Sequence, residues 1–157
     1  MSPEYSGELR KKIEEVVARY PKKEAALLPV LHLVQNEVGF ISPEEEKFVA
    51  RVLGIKPMRV REVVSFYTMI SPQPLGRYHV QACQNLSCHL AGSENLIDYL
   101  KSKLGIGVGE TTPDKKFTLS TVECLGACEQ APCMMVNFDY YGQLDKDRID
   151  QILDRLA

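Results

Sequence analysis

Residues 117–128 read Phe-Thr-Leu-Ser-Thr-Val-Glu-Cys-Leu-Gly-Ala-Cys, a β-branched run that leads directly into a pair of cysteines. Earlier in the chain, the alternating residues 78–82 lead in the same way into another pair. Alternating and β-branched runs of this length predict strands. Each pair is therefore expected in a loop at the end of a rigid strand, where functional loops are often held. The pairs are Cys83 with Cys88 and Cys124 with Cys128.

The two cysteine pairs predict a site for a soft metal centre, because two loops with two thiolates each can close a tetrathiolate cage. Gly126 lies inside the second loop, where it allows backbone curvature and leaves amide N–H groups free to point at sulfur. The spacings are compatible with zinc, which usually takes ligands two to four residues apart. They favour an iron–sulfur centre, which accommodates Cys-x4-Cys readily and needs a wider cage. Spacing alone leaves a structural zinc scaffold open as the alternative.

The fifth cysteine, Cys133, follows the second pair on a predicted strand. A lone cysteine on a strand is most often a small buried hydrophobic residue, which is the favoured interpretation of Cys133. The alternatives are a substitute ligand and a redox-active extra thiol.

The composition of the 157-residue chain excludes several functional classes. Net charge is −2, and no basic face is present of the kind that nucleic-acid binding requires. The N-terminal residues lack the apolar segment of a secretory signal, and no apolar run approaches the ~18 residues of a membrane-spanning helix. We therefore expect no direct membrane insertion. An odd number of cysteines without an export signal argues for reduced thiols or metal binding.

Hydrophobic periodicity predicts an α+β fold with two domains: an N-terminal helical domain, residues 1–72, and a second domain, residues 73–157, with the order β-α-β-β-α. A Pro/Gly-rich linker at 71–76 separates them. The first domain has predicted helices at 8–20, 25–38, 43–52 and 57–67. The second has predicted strands at 78–82, 117–122 and 133–138, a hairpin partner at 141–144, and helices at 94–104 and 146–156.

Several segments resemble one known family: Leu28-Pro-Val-Leu-His-Leu-Val34, Gly39-Phe-Ile-Ser42, Val63-Val-Ser-Phe-Tyr-Thr68, Val122-Glu-Cys-Leu-Gly-Ala-Cys128 and Ala131-Pro132. Over nearly its whole length the chain resembles the thioredoxin-like [2Fe–2S] subunit of respiratory NADH:quinone oxidoreductase, complex I. The resemblance implies a thioredoxin-like second domain and no catalytic residue of its own. It implies that Cys83, Cys88, Cys124 and Cys128 bind one [2Fe–2S] cluster as metal ligands. Cys133 stands where that family generally has an apolar residue.

The resemblance also implies the function. The expected role is one-electron exchange with FMN, as a subunit of an oxidoreductase that is not catalytic alone. The expected partner is the flavoprotein subunit, which carries FMN and the NADH site, within a larger respiratory complex. The chain would then be cytoplasmic and peripheral to the inner face of the cell membrane through that complex. An equivalent subunit of an NAD-linked hydrogenase or formate dehydrogenase is an alternative of the same kind.

Overall fold

The computed structural model describes residues 5–156, which form two compact units. The first unit ends at Pro74 and the second begins at Leu75. Within the described residues, the first unit contains four α-helices: α1 (Gly7–Val17), α2 (Leu27–Val38), α3 (Pro43–Leu53) and α4 (Pro57–Phe66). The predicted helical composition of this part of the chain is therefore confirmed.

Local sequence signals determine where these helices begin. Ser42 and Glu45 form a reciprocal capping box at the start of α3, with Pro43 in the first turn, as the sequence predicts. Pro29 is tolerated in the first turn of α2, where its missing N–H would have no partner inside the helix. A short 3-10 turn, Lys23–Ala26, directly precedes α2.

The first unit has one apolar core and pairs its buried polar groups internally. Its innermost side chains include Ile13, Val30, Leu31, Val34, Val49 and Val60. The Tyr5 hydroxyl donates a hydrogen bond to the Glu45 carboxylate at 3.1 Å. Burial, reinforced by that carboxylate, raises the pKa of Tyr5. Arg61 Nε donates to the Glu46 carboxylate at 2.8 Å, so the buried charge of Glu46 has a partner.

The second unit is built on a four-stranded mixed sheet with the order β2-β1-β3-β4. Strand β1 pairs in parallel with β2 and antiparallel with β3, which pairs antiparallel with β4. Its elements are β1 (Tyr78–Cys83), α5 (Leu86–Leu90), α6 (Ser93–Leu104), β2 (Phe117–Val122), β3 (Met134–Val136), β4 (Asp139–Tyr141) and α7 (Lys146–Leu156). The α+β prediction is confirmed, and the five-residue helix α5 is an addition to it.

The two faces of this sheet differ in what they carry. On one face, strand residues pack with α6 and α7 into a second apolar core, whose innermost members include Val80, Leu100, Leu119, Met134 and Ile149. Successive strand side chains point to opposite faces, so Cys83 lies on the face opposite Ala82. Cys83 belongs instead to a small separate cluster of buried residues with Cys88, Ala127 and Cys133. Cys83, Cys88 and Cys133 therefore lie in a separate buried cluster, outside the apolar core.

In the hairpin after Cys133, the turn and the second strand come earlier in the chain than the sequence suggested. The sequence predicted a strand at 133–138 with a partner at 141–144, whereas β4 pairs directly across a turn at Asn137. Asn137 adopts a positive φ of 54° and its side-chain oxygen accepts a hydrogen bond from the His79 N–H at 2.9 Å. This bond to β1 ends β3 at Val136, and Asn is among the residues that tolerate the left-handed conformation.

Between residues 5 and 156, the structure contains no helix with both the length and the apolar character needed to cross a bilayer.

Candidate metal centre

Three buried cysteine sulfurs meet at one end of the sheet. The Sγ atoms of Cys83, Cys88 and Cys133 all lie within 4.8 Å of one another. Their residues are only 3%, 2% and 4% exposed. The Sγ atoms of Cys88 and Cys133 are 3.6 Å apart. We call these three residues the thiol trio.

Regular structure positions each member of the thiol trio. Cys83 is the last residue of β1 and pairs with Val122, the last residue of the parallel strand β2. The Cys83 N–H donates to the Cys133 carbonyl at 3.1 Å, which fixes the start of β3 beside the end of β1. Cys88 lies in α5, which Asn85 caps by accepting a hydrogen bond from the Leu86 N–H at 2.8 Å. The trio is thus held by the end of β1, by α5 and by the residue directly before β3.

The loop that carries the second cysteine pair lies against the trio. The Cys83 thiol is 3.9 Å from the Glu123 carbonyl, and the Gln84 side-chain amide donates to the Glu123 carboxylate at 2.9 Å. Gly126 adopts a φ of 71° and its N–H donates to the Cys124 sulfur at 3.3 Å. The predicted role of Gly126 in curving the loop and directing an amide at sulfur is therefore confirmed.

Backbone amides and burial shift the pKa values of these thiols in opposite directions. Burial raises the pKa of Cys83, but the amides of Asn85 and Leu125 donate to its sulfur, and the net effect lowers that pKa. Burial raises the pKa of Cys88, against a lowering by the amide of Cys133. Burial, followed by the neighbouring Cys88, raises the pKa of Cys133 to about 12.

The structure brings together part of the predicted ligand set. Cys83 and Cys88 lie in the trio, whereas Cys124 and Cys128 are exposed on the adjoining loop, with their sulfurs outside it. The assignment of all four as ligands therefore stays a prediction. Cys133 is buried, as expected, but its contact with Cys88 was not anticipated.

A signal for that contact exists in the sequence. Cys133 immediately precedes Met134, which pairs with Ala82, so Cys133 comes level with Cys83 once β1 and β3 are aligned. The alternation of strand side chains then puts both cysteines on the same face. To predict this contact, one must know how β1 and β3 pair. These strands are distant in sequence, and the local pattern does not specify their pairing.

The donor set fits an iron–sulfur cluster. Only sulfur ligands converge here: the group of metal-binding side chains that the described residues bring together contains neither histidine nor carboxylate. The imidazole of His89, the residue next to Cys88, faces Glu94 at 3.6 Å instead. Thiolate ligands and amide N–H donors directed at their sulfurs are the protein's main contributions to iron–sulfur centres. The residues present therefore suit a thiolate-bound cluster.

Comparison with known proteins agrees with this chemistry. The family model for thioredoxin-like [2Fe–2S] ferredoxins matches residues 13–157 of the chain. The chain belongs to this family. The thioredoxin-like [2Fe–2S] cofactor class predicted from the sequence is thereby confirmed.

Curated relatives of this family member cover most of its length. It is 49% identical over 146 residues to a subunit of the NADH-quinone oxidoreductase of Rhizobium meliloti, covering 93% of this chain and 87% of the relative. It is 45% identical over 144 residues to NADH-quinone oxidoreductase subunit 2 of Thermus thermophilus, covering 90% and 80% of the two chains. Both relatives are named as subunits of an NADH-quinone oxidoreductase.

The fold of this family member also occurs inside a larger solved chain. A chain of the NAD+-reducing [NiFe]-hydrogenase, solved in the air-oxidised state, superposes with a TM-score of 0.73 and 24% identity. The match covers 83% of this chain and 22% of the hydrogenase chain. At this identity the likeness concerns the fold.

Proposed function

We propose that this chain is an electron-transfer subunit of an NADH:quinone oxidoreductase and holds one [2Fe–2S] cluster through Cys83, Cys88, Cys124 and Cys128. The observation that carries the proposal is the meeting of the buried Cys83 and Cys88 sulfurs, within 4.8 Å, beside a loop in which the Gly126 N–H donates to the Cys124 sulfur at 3.3 Å. Relatives named for that enzyme, at 49% and 45% identity over most of both chains, support the assignment.

The ligand set follows from where the two strands end. Strands β1 and β2 run parallel, so the loops after Cys83 and Val122 leave the sheet at the same edge. The loop with Cys124 and Cys128 therefore lies beside the buried pair, and Leu125 and Ala127 pack into the cysteine cluster. A cage formed this way has a buried side and an exposed side. An electron-transfer centre needs such an exposed side, because electrons must reach a partner.

The chain's own residues hold and tune the centre. When bound, the cluster supplies reversible one-electron chemistry. The backbone N–H groups of Asn85, Leu125 and Gly126 stabilise negative charge on the ligand sulfurs in either redox state. The burial of Cys83 and Cys88 excludes water from one side of the site. In this proposal the chain holds the electron-transfer centre as a subunit and acts together with a partner.

The partner in this proposal is the flavoprotein subunit that carries FMN and the NADH site. The cluster domain, residues 73–157, would exchange electrons with FMN, and the helical domain, residues 1–72, would add binding surface. The complex would hold the chain at the cytoplasmic side of the membrane. Co-expression of the chain with a candidate flavoprotein subunit and purification through a tag on only one of them tests this assignment. Recovery of both chains with bound FMN is the expected result.

A spectroscopic experiment on the isolated full chain tests the cofactor and its ligands. Purified without oxygen, the protein is expected to be brown, with absorption bands at roughly 400–600 nm and about two irons and two sulfides per chain. Reduction should produce an electron paramagnetic resonance signal. Separate Cys→Ser changes at 83, 88, 124 and 128 should each lower the iron content, whereas Cys133→Ala should not. Colourless protein with one zinc per chain would instead support a structural zinc scaffold.

A further inference from the structure

Cys133 has a close contact that the proposed ligand set leaves without a role. Its Sγ lies 3.6 Å from the Sγ of Cys88, within the range of a hydrogen bond between sulfur atoms. Both side chains are almost fully buried, so water does not compete for either sulfur. A buried polar contact of this kind at a ligand atom affects the electronic properties of the centre.

The direction of this hydrogen bond follows from the ligand assignment. As a cluster ligand, Cys88 has lost its proton, and its sulfur is then only an acceptor. Cys133 is not in the proposed ligand set, so it keeps its S–H group and is the donor. The backbone N–H of Cys133 is aimed at the same Cys88 sulfur. One residue therefore directs two donors, N–H and S–H, at one ligand.

The backbone fixes Cys133 in this position. Its carbonyl accepts the Cys83 N–H at 3.1 Å, which ties it to the end of β1. The next residue, Met134, pairs with Ala82 and turns its own side chain into the apolar core on the opposite face. The backbone of Cys133 is therefore held beside Cys88, and burial surrounds its thiol there. A donor held in place costs no reorganisation when the charge on its acceptor changes.

We propose that the Cys133 thiol is a tuning residue that donates an S–H···S hydrogen bond to Cys88 and raises the reduction potential of the cluster. This inference rests on the proposed function. Reduction adds negative charge that is shared by the ligand sulfurs, and a hydrogen bond to a more negative sulfur is stronger. The bond therefore stabilises the reduced state more than the oxidised state. A family member with an apolar residue at this position lacks that contribution.

Redox titration of the full chain with its cluster tests the proposal. Cys133→Ala and Cys133→Val both remove the donor, and valine keeps the site filled with apolar atoms. Both variants should retain the cluster and titrate at a more negative potential than the unaltered chain. Cys133→Ser keeps a donor, so its potential should lie above those of the alanine and valine variants. Met134→Leu is the matched control, because it alters the neighbouring side chain on the opposite face and should leave the potential unchanged.

A vibrational measurement separates a hydrogen bond from a packing effect. The iron–thiolate stretching bands in the resonance Raman spectrum should shift on exchange into D2O, and this shift should be smaller in Cys133→Ala. Equal potentials in the unaltered chain and in the alanine and valine variants would overturn the tuning role. Loss of the cluster in both variants, with retention in Cys128→Ser, would overturn it as well, since Cys133 would then be a ligand. A colourless unaltered chain would instead refute the proposed function itself.

Discussion

The two units of the chain treat their buried polar groups differently. In the first unit the buried carboxylates have protein partners: Tyr5 donates to Glu45, and Arg61 donates to Glu46. In the second unit, backbone amides lie near the buried sulfurs of the thiol trio. The group of side chains that the described residues bring together there consists of cysteines and includes no positively charged side chain. Buried thiols pack as neutral groups on their own, but thiolates that hold a metal centre also cross-link the segments that carry them. The second unit should therefore gain stability from its cofactor and the first should not.

Replacing a buried ligand should have the largest effect and be confined to the second unit. Cys88→Ser should strongly lower cluster binding, because a serine oxygen is a poorer ligand for the cluster iron than the thiolate it replaces. Iron content and the visible spectrum measure this loss. Hydrogen exchange should show faster exchange in the loop 122–133 and unchanged protection in α1–α4. Ser87→Ala, at an exposed neighbouring position in α5, is the control and should keep the cluster. A faster exchange of the first unit in Cys88→Ser would contradict the independence of the two units.

Two arginines of α4 allow the first unit to be tested alone. Arg61→Ala should lower the free energy of unfolding by about 1–3 kcal/mol, because Glu46 is 5% exposed and would lose a charge-assisted partner. Arg59→Ala removes only an exposed pair with Glu62 and should cost less than about 0.5 kcal/mol. Urea unfolding followed by circular dichroism measures both. Iron content should stay unchanged in each variant, and equal costs for the two would show that burial of Glu46 does not matter.

The backbone of Gly142 packs closely against Gln130, in the segment that follows Cys128. A Cβ at residue 142 would clash with the Cβ of Gln130 and lie 2.8 Å from its carbonyl oxygen. Gly142→Ala should therefore displace the 3-10 turn Cys128–Gln130, lower the free energy of unfolding by about 1–3 kcal/mol and speed the loss of iron to a chelator. The control is Gly7→Ala, which meets no atom within 4 Å and should have neither effect. Unaltered iron release in Gly142→Ala would show that the turn does not depend on this contact.

The smallest effect is a pH dependence in the second unit. Burial lowers the pKa of His79 below its ordinary value of 6.5. The unfolded chain therefore binds the proton at a higher pH than the folded chain does. Stability should be fully present above pH ~6.5 and decline as the pH falls below that value. His79→Gln should remove this part of the decline, as measured by urea unfolding of the cluster-free chain across the acidic range. An identical pH profile for the variant would contradict the assignment.

The helices and strands could be predicted because their signals are local. The capping box at Ser42 and Glu45 and the alternating residues before Cys83 each depend on a few neighbouring residues. Helix α5 was missed because five residues are too few for a helical period to be recognised. The hairpin boundary was misplaced because Asn137 is fixed by a bond to His79 on another strand.

The candidate site could be predicted only in part, for the same reason. The cysteine pairs are visible in the sequence, and the family resemblance identifies the cofactor. The contact between Cys88 and Cys133 depends on the register of β1 with β3, which is set by tertiary pairing. Long-range pairing of this kind has no local signature.

The parallel pairing of β1 and β2 has a consequence for biosynthesis. Parallel neighbours need a crossover, and here α6 and the chain up to Phe117 lie between the two strands. As the chain leaves the ribosome, Cys83 and Cys88 emerge well before Cys124 and Cys128, and the central strand β1 must wait for β2 on one side and β3 on the other. With the proposed ligands, iron and sulfide can complete the centre only after Cys128 has emerged, when most of the polypeptide has been translated.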